Sequence, residues 1–342
     1  MKKIIKKVLL ILLFIVVILT VLSPLSGGIM YAFSFPKVAR PDYTITPGLV
    51  NYEEIKDVLP RTEIKYESNQ ATLNGYYYEN KNSDYMVVVS HGMQDGADSL
   101  LAVCKYFYDS GYNVFSYDNS GCFDSSGKVQ GFSQPLIDLK YTLDFLNENE
   151  LFKDYKKFLF GLSAGGFAAT SVLSFKPENV LGVVSVSAYN DASTLLIDKG
   201  KSYVGPLVYV GKPLVEAIQK NKFGDYLSYD AVKGINATNT PSLIIHGKDD
   251  KTIRYDVESI LAKKELITNL NFDYLLVENV GHTSVLYSDE ANLYQQEVNN
   301  QIKSIKNKKQ KIEYVNSIDD YAYSHLNEEL FNKIIQFYKN CI

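Results

Sequence analysis

The stretch FLFGLSAGGFAAT, residues 158–170, places one serine between glycines at the end of an apolar run. The run up to Gly161 is typical of a buried strand, and the alanine-rich residues after the glycines are typical of a helix. The residues Gly161, Ser163 and Gly165 have the spacing G-x-S-x-G, in which small neighbours allow a tight turn to lift the serine hydroxyl clear of a sheet. Such a turn is where a nucleophile is expected. An ordinary glycine-rich connection would have the same local composition.

A serine is a weak nucleophile unless a histidine accepts its proton and a carboxylate orients that histidine. For a serine on a strand-to-helix turn, the expected chain order is serine, acid, histidine. Of the four histidines, His282 follows the last predicted strand, on the loop VENVGHTSVL at the sheet edge. We therefore expect His282 to be the base, and we interpret the other three as structural: His91, His246 and His325.

The acid is expected in HGKDD, which follows a predicted strand and precedes His282 along the chain. This segment offers two carboxylates, and we expect Asp250 to orient the histidine while Asp249 faces solvent or caps the turn. Asp191, just after the preceding strand, is a less favoured alternative.

Acyl transfer at a serine also needs hydrogen-bond donors for the oxyanion that forms. The backbone N–H of Ala164 is expected to be one donor, because the first N–H groups of a helix have no partner within it. The second is expected to be the backbone N–H of Met93 in SHGMQDG, where Gly92 permits the turn. Each such donor can lower the barrier by about 3 kcal/mol.

Predicted strands and helices alternate from residue 61 onward, which indicates βαβ units and a mostly parallel sheet covered by helices on both faces. TEIKYES and TLNGYYYE predict an antiparallel pair, and a helix is expected to begin near Arg254. At about 189–236 no strand is predicted. Short apolar helices inserted there, at the carboxyl edge of the sheet, predict a cap over the site.

The first 36 residues open with four lysines and then carry no charge from Val8 onward. The most apolar part, Val8 to Leu22, is shorter than the ~20 residues that span a bilayer, and the uncharged tail would supply the rest. We expect an uncleaved signal anchor, a transmembrane helix, over 1–36, followed by a linker over 37–60. A cleaved signal peptide is the alternative, and a buried core helix is disfavoured because the stretch has no polar face.

The lysines ahead of this segment predict a cytoplasmic N-terminus. The predicted location is therefore the cell membrane, crossed once, with the remaining domain outside the cytoplasm. Secretion follows if the segment is cleaved. The frequent Lys, Asn, Ile and Tyr are a composition we associate with bacteria.

The chain has 342 residues, 46% of them hydrophobic, which is ample for a sizeable core. A net charge of −4 provides no general attraction to nucleic acid. Three cysteines imply no disulfide framework, and no histidine or cysteine spacing matches a metal motif, so no metal and no cofactor are expected.

HGMQDG, YDNSGCFDSSG, GLSAGG, HGKDDKTI and the later GH stand in the order and at the separations found in the α/β-hydrolase superfamily, which this chain resembles from about Glu63 to Gln301. Within it, the chain is most similar to serine-aminopeptidase-like and monoacylglycerol-lipase-like hydrolases with a helical cap. The second segment departs from the usual pattern, since Ser120 replaces an arginine and Phe123 replaces a glycine. The resemblance implies an α/β-hydrolase domain over 61–342 with a cap insertion at about 189–236.

The resemblance and the motifs together predict a membrane-anchored serine hydrolase. We expect it to cleave a carboxylic ester with a lipid-like or medium-chain acyl group through Ser163, His282 and Asp250 and an acyl-enzyme. The alternatives are an aminopeptidase-like peptidase that takes a short peptide, a non-catalytic surface binding protein on the same fold, and an acyltransferase. The oligomeric state stays open.

Overall fold

The computed structural model describes residues 2–17, 31, 34–48, 50–69 and 71–342. Its centre is a sheet of eight strands: β1 (Thr62–Glu67), β2 (Thr72–Tyr78), β3 (Tyr85–Ser90), β4 (Asn113–Tyr117), β5 (Lys156–Leu162), β6 (Val180–Val186), β7 (Ser242–Gly247) and β8 (Phe272–Val277). Their order in the sheet is β1-β2-β4-β3-β5-β6-β7-β8.

Strands β1 and β2 pair antiparallel, and β2 pairs antiparallel with β4. Along the order β4-β3-β5-β6-β7-β8, each adjacent pair of strands is parallel. The predicted antiparallel pair and the predicted mostly parallel sheet are both confirmed. Because parallel strands end at one edge, the loops after β3, β5, β7 and β8 come together there.

The α-helices of the described residues are α1 (Lys2–Val17), α2 (Tyr52–Ile55), α3 (Leu101–Asp109), α4 (Gln134–Glu148), α5 (Ala164–Ser171), α6 (Ala192–Val204), α7 (Val208–Phe223), α8 (Ala231–Ala237), α9 (Asp289–Ser304), α10 (Lys308–Val315), α11 (Asp320–Ser324) and α12 (Glu328–Asn340).

Helices cover both faces of the sheet, as the alternating pattern predicts. Successive residues of β3 point to opposite faces. Val87 packs in a core cluster with Phe107 of α3 and Phe331 of α12. Val88 packs in the other cluster with Leu139 of α4 and Phe167 of α5.

The α-helix expected to begin near Arg254 does not form. Residues 255–258 are turns, and a 3₁₀ helix follows at Leu261–Leu266. The reason is a tertiary contact: Tyr189 and Ser259 form an antiparallel bridge, and the Asn190 N–H donates to the carbonyl beside it at Glu258, at 2.9 Å. These groups bond to the chain after β6 and are not available for a helix.

The chain between β6 and β7, where the cap is expected, contains α6, α7 and α8. Helix α8 packs against α5 so closely that a Cβ on Gly234 would lie 2.1 Å from the carbonyl oxygen of Thr170. Helices α6 and α7 contribute the residues that border the cavity described below.

Helix α1 is 16 residues long, and the apolar side chains described on it are exposed. Residues 18–30, 32 and 33, on which part of the expected anchor falls, lie outside the described residues. Among the ranges that the structure does describe, no helix combines the length and the apolar character needed to cross a membrane.

Candidate active site

Ser163 lies between the last residue of β5 and the first residue of α5, at the turn that the sequence predicts. Its backbone has φ 56° and ψ −114°, a conformation that a residue with a side chain rarely adopts. The Ser163 N–H donates to the Val186 carbonyl at 2.8 Å, and its carbonyl accepts the N–H of Phe167 at 3.0 Å. The turn is thus held by neighbours on both sides while the hydroxyl is left for other partners.

Glycine is required on either side of Ser163 because other backbone comes too close for a side chain. A Cβ on Gly161 would lie 2.2 Å from the carbonyl oxygen of Gly165. A Cβ on Gly165 would lie 2.1 Å from the carbonyl oxygen of Ser90, at the end of β3. The G-x-S-x-G spacing therefore packs the start of α5 directly against the loop after β3.

His282 lies on the loop after β8, and its ring joins the serine to a carboxylate. Its Nε2 is 2.9 Å from Ser163 Oγ, and its Nδ1 is 2.7 Å from Asp250 Oδ2. Since an ionised carboxylate only accepts, Nδ1–H is assigned as the donor to Asp250, and Nε2 then accepts from the serine hydroxyl. The hydroxyl of Ser187 donates to the His282 carbonyl at 2.7 Å and holds its backbone.

Asp250 follows β7, and its carboxylate is buried. One oxygen accepts the backbone N–H groups of Thr252 and Ile253 at 2.8 and 2.9 Å, and the other accepts from His282 and lies 3.2 Å from His246 Nε2. Burial raises the pKa of this carboxyl, but the hydrogen bonds from His246, His282 and the backbone outweigh it and hold the pKa well below the ordinary value. Asp250 is therefore ionised at neutral pH.

The two other carboxylates considered from the sequence have different surroundings. Asp249 is exposed, and its backbone N–H donates to the Val280 carbonyl at 3.0 Å. Asp191 accepts the Thr194 N–H at 2.6 Å as the N-cap of α6. Neither carboxylate bonds to a histidine among the described residues.

His246 makes polar contacts in addition to packing in the core. Its Nε2 lies 2.8 Å from the Ile253 carbonyl oxygen, to which it donates, and the same nitrogen faces Asp250. His246 therefore helps to hold both the Asp250 carboxylate and the backbone at Ile253. The sequence held one signal for this contact, since His246 stands at the end of β7 and four residues before the acid.

His91, interpreted from the sequence as structural, is the first residue of the loop after β3 and is buried. Its Nε2 accepts the backbone N–H of Asn119 at 3.0 Å, so Nδ1–H is assigned as the donor to the Gly92 carbonyl at 2.7 Å. Burial lowers the pKa of His91, in keeping with a neutral ring. The last histidine, His325, follows α11 and lies 3.6 Å from a carboxylate oxygen of Glu328.

The two backbone groups expected to hold an oxyanion flank Ser163. A Cβ on Gly92 would lie 3.6 Å from the Ser163 Cβ, which puts the Met93 loop in contact with the serine. Ala164 is the first residue of α5. Within the described part of the chain, neither the Met93 N–H nor the Ala164 N–H has a backbone acceptor.

Ser163 and His282 open onto a cavity of about 970 Å³ between the sheet edge and the helices that follow β6. This volume is at the upper end of the range of about 300–1,000 Å³ found for small-molecule sites. Much of the wall is apolar, including Tyr31, Phe35, Phe132, Leu195, Val208 and Val215.

Asp95 borders the cavity, and its Oδ1 accepts the N–H of Gly96 at 3.0 Å; it was not among the residues predicted from the sequence. Its burial raises the pKa of the carboxyl, while the neighbouring His91 acts in the opposite direction. Its position two residues after Met93 was the available signal. The described residues include no group of three or more His, Cys, Asp or Glu side chains placed to hold a metal ion.

This chain is similar to known hydrolases. Residues 81–223 match the family model described as "Serine aminopeptidase, S33". An esterase from Pyrococcus furiosus is 18% identical, with a TM-score of 0.55 over 79% of this chain and 97% of that chain. No curated protein matches this chain.

Two further solved structures share the fold. An α/β hydrolase from Vibrio vulnificus is 14% identical, with a TM-score of 0.54 over 83% of this chain and 93% of its own. An α/β hydrolase from Penicillium sp. sh18 is 16% identical, with a TM-score of 0.51 over 72% of this chain and 99% of its own.

The chain has the α/β-hydrolase fold. The predicted resemblance to the α/β-hydrolase superfamily is confirmed, and residues 81–223 are similar to the serine-aminopeptidase-like hydrolases. The expected class of enzyme, a serine hydrolase, is confirmed with it, and the relatives whose fold it shares include an esterase.

Proposed function

We propose that this protein hydrolyses carboxylic esters with a lipid-like or medium-chain acyl group, using Ser163 as nucleophile, His282 as base and Asp250 as orienting acid. The observation that carries the proposal is the hydrogen-bonded chain from Ser163 Oγ through His282 to Asp250, at the wall of an apolar cavity. Serine, imidazole and buried carboxylate in this arrangement are what nucleophilic acyl transfer requires.

In the first half of the reaction, Ser163 Oγ attacks the acyl carbon while its proton passes to His282 Nε2. The negative charge that develops on the carbonyl oxygen is held by the N–H groups of Met93 and Ala164. The imidazolium is stabilised by the ionised Asp250 and then gives its proton to the departing alcohol. The products of this half are the free alcohol and an acyl-enzyme ester at Ser163.

In the second half, His282 accepts a proton from water, which attacks the acyl-enzyme. The same two N–H groups hold the second oxyanion, and His282 returns the proton to Ser163 Oγ as the carboxylic acid leaves. An acyltransferase would use the same acyl-enzyme with a different acceptor, so the identity of the acceptor separates these two activities.

The cavity favours an acyl group as the part of the substrate that is bound. Aromatic and aliphatic side chains line it, and burial of apolar surface stabilises by about 25 cal/mol per Å². An ester with a chain of several carbons would place that chain against this wall and its carbonyl at Ser163.

A peptidase with aminopeptidase-like specificity is the second candidate, and Asp95 is the observation that favours it. A carboxylate that borders the cavity would hold the substrate ammonium group that such a peptidase has to bind. Two acidic residues of the segment between β6 and β7 have partners of their own. Asp191 caps α6, and Glu216 lies 3.5 Å from Lys212. The hypothesis of a non-catalytic binding protein predicts that one or more of the three site residues is missing. The intact hydrogen-bonded chain from Ser163 through His282 to Asp250 counts against that hypothesis.

We also propose that the apolar run within residues 1–30 anchors the protein as a single-pass signal anchor with the hydrolase domain outside the cytoplasm, while Tyr31 and residues 34–36 pack on that domain. The lysines ahead of the apolar run and the exposed apolar side chains of α1, such as Leu9 and Phe14 at 60% and 65%, support this. Mass spectrometry of the membrane fraction should recover the N-terminal peptide. A mature chain that begins near residue 37 would instead indicate a cleaved signal.

The substrate class is tested by turnover of p-nitrophenyl esters with acyl chains from 2 to 16 carbons beside a panel of aminoacyl p-nitroanilides. We expect ester turnover with a preference for medium chains, and no turnover by the Ser163→Ala variant. A preference for the anilides that is lost in Asp95→Asn would replace the esterase by the aminopeptidase.

A further inference from the structure

The cavity has one wall that the hydrolase core does not supply. Tyr31 and Phe35 are 6% and 9% exposed, and both border the same cavity as Ser163 and His282. Ser34 and Pro36 border it as well. We call Tyr31 and residues 34–36 the wall segment. It lies directly after the apolar N-terminal run.

The wall segment is fastened to the body just after it ends. Val38 forms a parallel bridge with Cys122, its N–H donates to the Gly121 carbonyl at 2.9 Å, and its carbonyl accepts the Phe123 N–H at 2.8 Å. Two residues later, the guanidinium of Arg40 pairs with Asp124 at 2.6 Å and with the buried carboxylate of Asp98. The segment is therefore tied by its backbone to the loop after β4, and by Arg40 to that loop and to the loop after β3.

Aromatic contacts continue from the wall segment towards the turn at Ser163. The rings of Tyr31 and Phe35 are 5.2 Å apart, and Phe35 meets Phe132 edge-on at 5.3 Å. Phe132 lies 5.8 Å from Tyr189, which stacks at 4.6 Å on Phe167 of α5. These separations are those of stabilising aromatic pairs.

The wall segment also touches the other two sides of the cavity. Phe35 belongs to an apolar cluster with Met93, whose N–H is proposed to hold the oxyanion, and with Leu196 of α6 and Val215 of α7. The Tyr31 hydroxyl donates to the Gln130 carbonyl at 2.7 Å. The segment thus fills the seam between the helices after β6 and the sheet edge.

We propose that the wall segment is part of the acyl-binding site and that Phe35 is a specificity-determining contact for the acyl chain. The inference rests on the proposed function, because it takes an acyl chain as the ligand of the cavity. It assigns to the N-terminal region a role in substrate recognition in addition to any role in anchoring. A chain shortened near residue 37 would lack this wall.

The first test maps the contact directly and needs no chemistry at Ser163. Full-length Ser163→Ala protein in detergent is irradiated with dodecanoic acid that carries a diazirine near its methyl end, and the labelled peptides are sequenced. We expect label on Tyr31 or residues 34–36, competed by unlabelled dodecanoic acid. Label confined to other parts of the chain, or label that is not competed, would overturn the proposal.

The second test measures affinity for dodecanoic acid in the same background. Phe35→Ala should weaken binding about tenfold, since a buried phenylalanine contact is lost. Phe337→Ala, the same substitution on α12 and away from the cavity, should leave binding unchanged. Equal affinity in the Phe35 and Phe337 variants, or tighter binding on loss of Phe35, would show that the segment only plugs the cavity. Labelling of Ser163 by a fluorophosphonate tests the proposed function separately.

Discussion

His282 Nε2 lies 2.9 Å from Ser163 Oγ, although 119 residues separate the two along the chain. The sheet accounts for this, because β5 and β8 are both parallel strands whose carboxyl ends meet at one edge. Asp250 after β7, between them in chain order, holds the ring from its other side. The contact therefore depends on the parallel pairing of the strands from β5 to β8.

Asp250 and Asp249 offer a matched comparison. Asp250→Asn should lower kcat by about 10⁴-fold, because an amide can donate to the ring and favour the wrong tautomer. Asp249→Asn should leave kcat within a few-fold of the wild type, since its carboxylate is exposed. Steady-state kinetics on a medium-chain ester decides between them. A larger loss of kcat in Asp249→Asn than in Asp250→Asn would identify Asp249 as the orienting acid.

The same carboxylate predicts how stability depends on pH. Burial raises the pKa of Asp250, but its hydrogen bonds from His246 and His282 prevail and depress it in the folded state. A depressed pKa gives stability that is complete above the unfolded pKa of about 3.9 and is lost as the pH falls below it. The difference in Tm between wild type and Asp250→Asn should therefore narrow between about pH 5 and pH 2.

Thermal unfolding followed by circular dichroism at a series of pH values provides that measurement. Asp249→Asn serves as the control and should run parallel to the wild type. A gap between wild type and Asp250→Asn that stays constant down to pH 2 would mean that the carboxylate is not stabilised by its partners.

Gly165→Ala should be severely destabilising, because its Cβ would lie 2.1 Å from the Ser90 carbonyl oxygen. Alanine is otherwise favoured over glycine in a helix by up to about 1 kcal/mol, so a loss has to come from the clash. Gly92→Ala, whose Cβ would sit at an ordinary 3.6 Å from its nearest neighbour, should keep a Tm near that of the wild type. Equal Tm values for the two variants would refute the close approach.

His91→Ala should lower kcat about 10²-fold with little change in KM. The ring holds the Gly92 carbonyl and the Asn119 N–H, so its loss should let the Met93 N–H move out of place. A displacement of about 1 Å at such a group has that size of effect. A change in KM alone, with kcat retained, would separate His91 from the oxyanion loop.

Much of the sheet could be predicted because its strands are short β-branched runs bounded by glycine turns, as in YMVVVSHG. The helix predicted from the local sequence pattern near Arg254 was wrong. A bridge between Tyr189 and Ser259 takes the backbone groups that this helix would use. Two features could not be predicted because they depend on tertiary structure. They are the contact of His246 with Asp250 and the position of Phe35 in the cavity wall. Sequence order alone does not bring a residue from the N-terminal region against Phe132.

Ser163 as the nucleophile is the assignment on which the proposed reaction depends. The most direct measurement is labelling of the full-length protein by a fluorophosphonate, with the modified peptide identified by mass spectrometry. We predict one label on Ser163, loss of labelling in Ser163→Ala, and strongly slowed labelling in His282→Ala. Undiminished labelling of the Ser163→Ala protein would contradict the account.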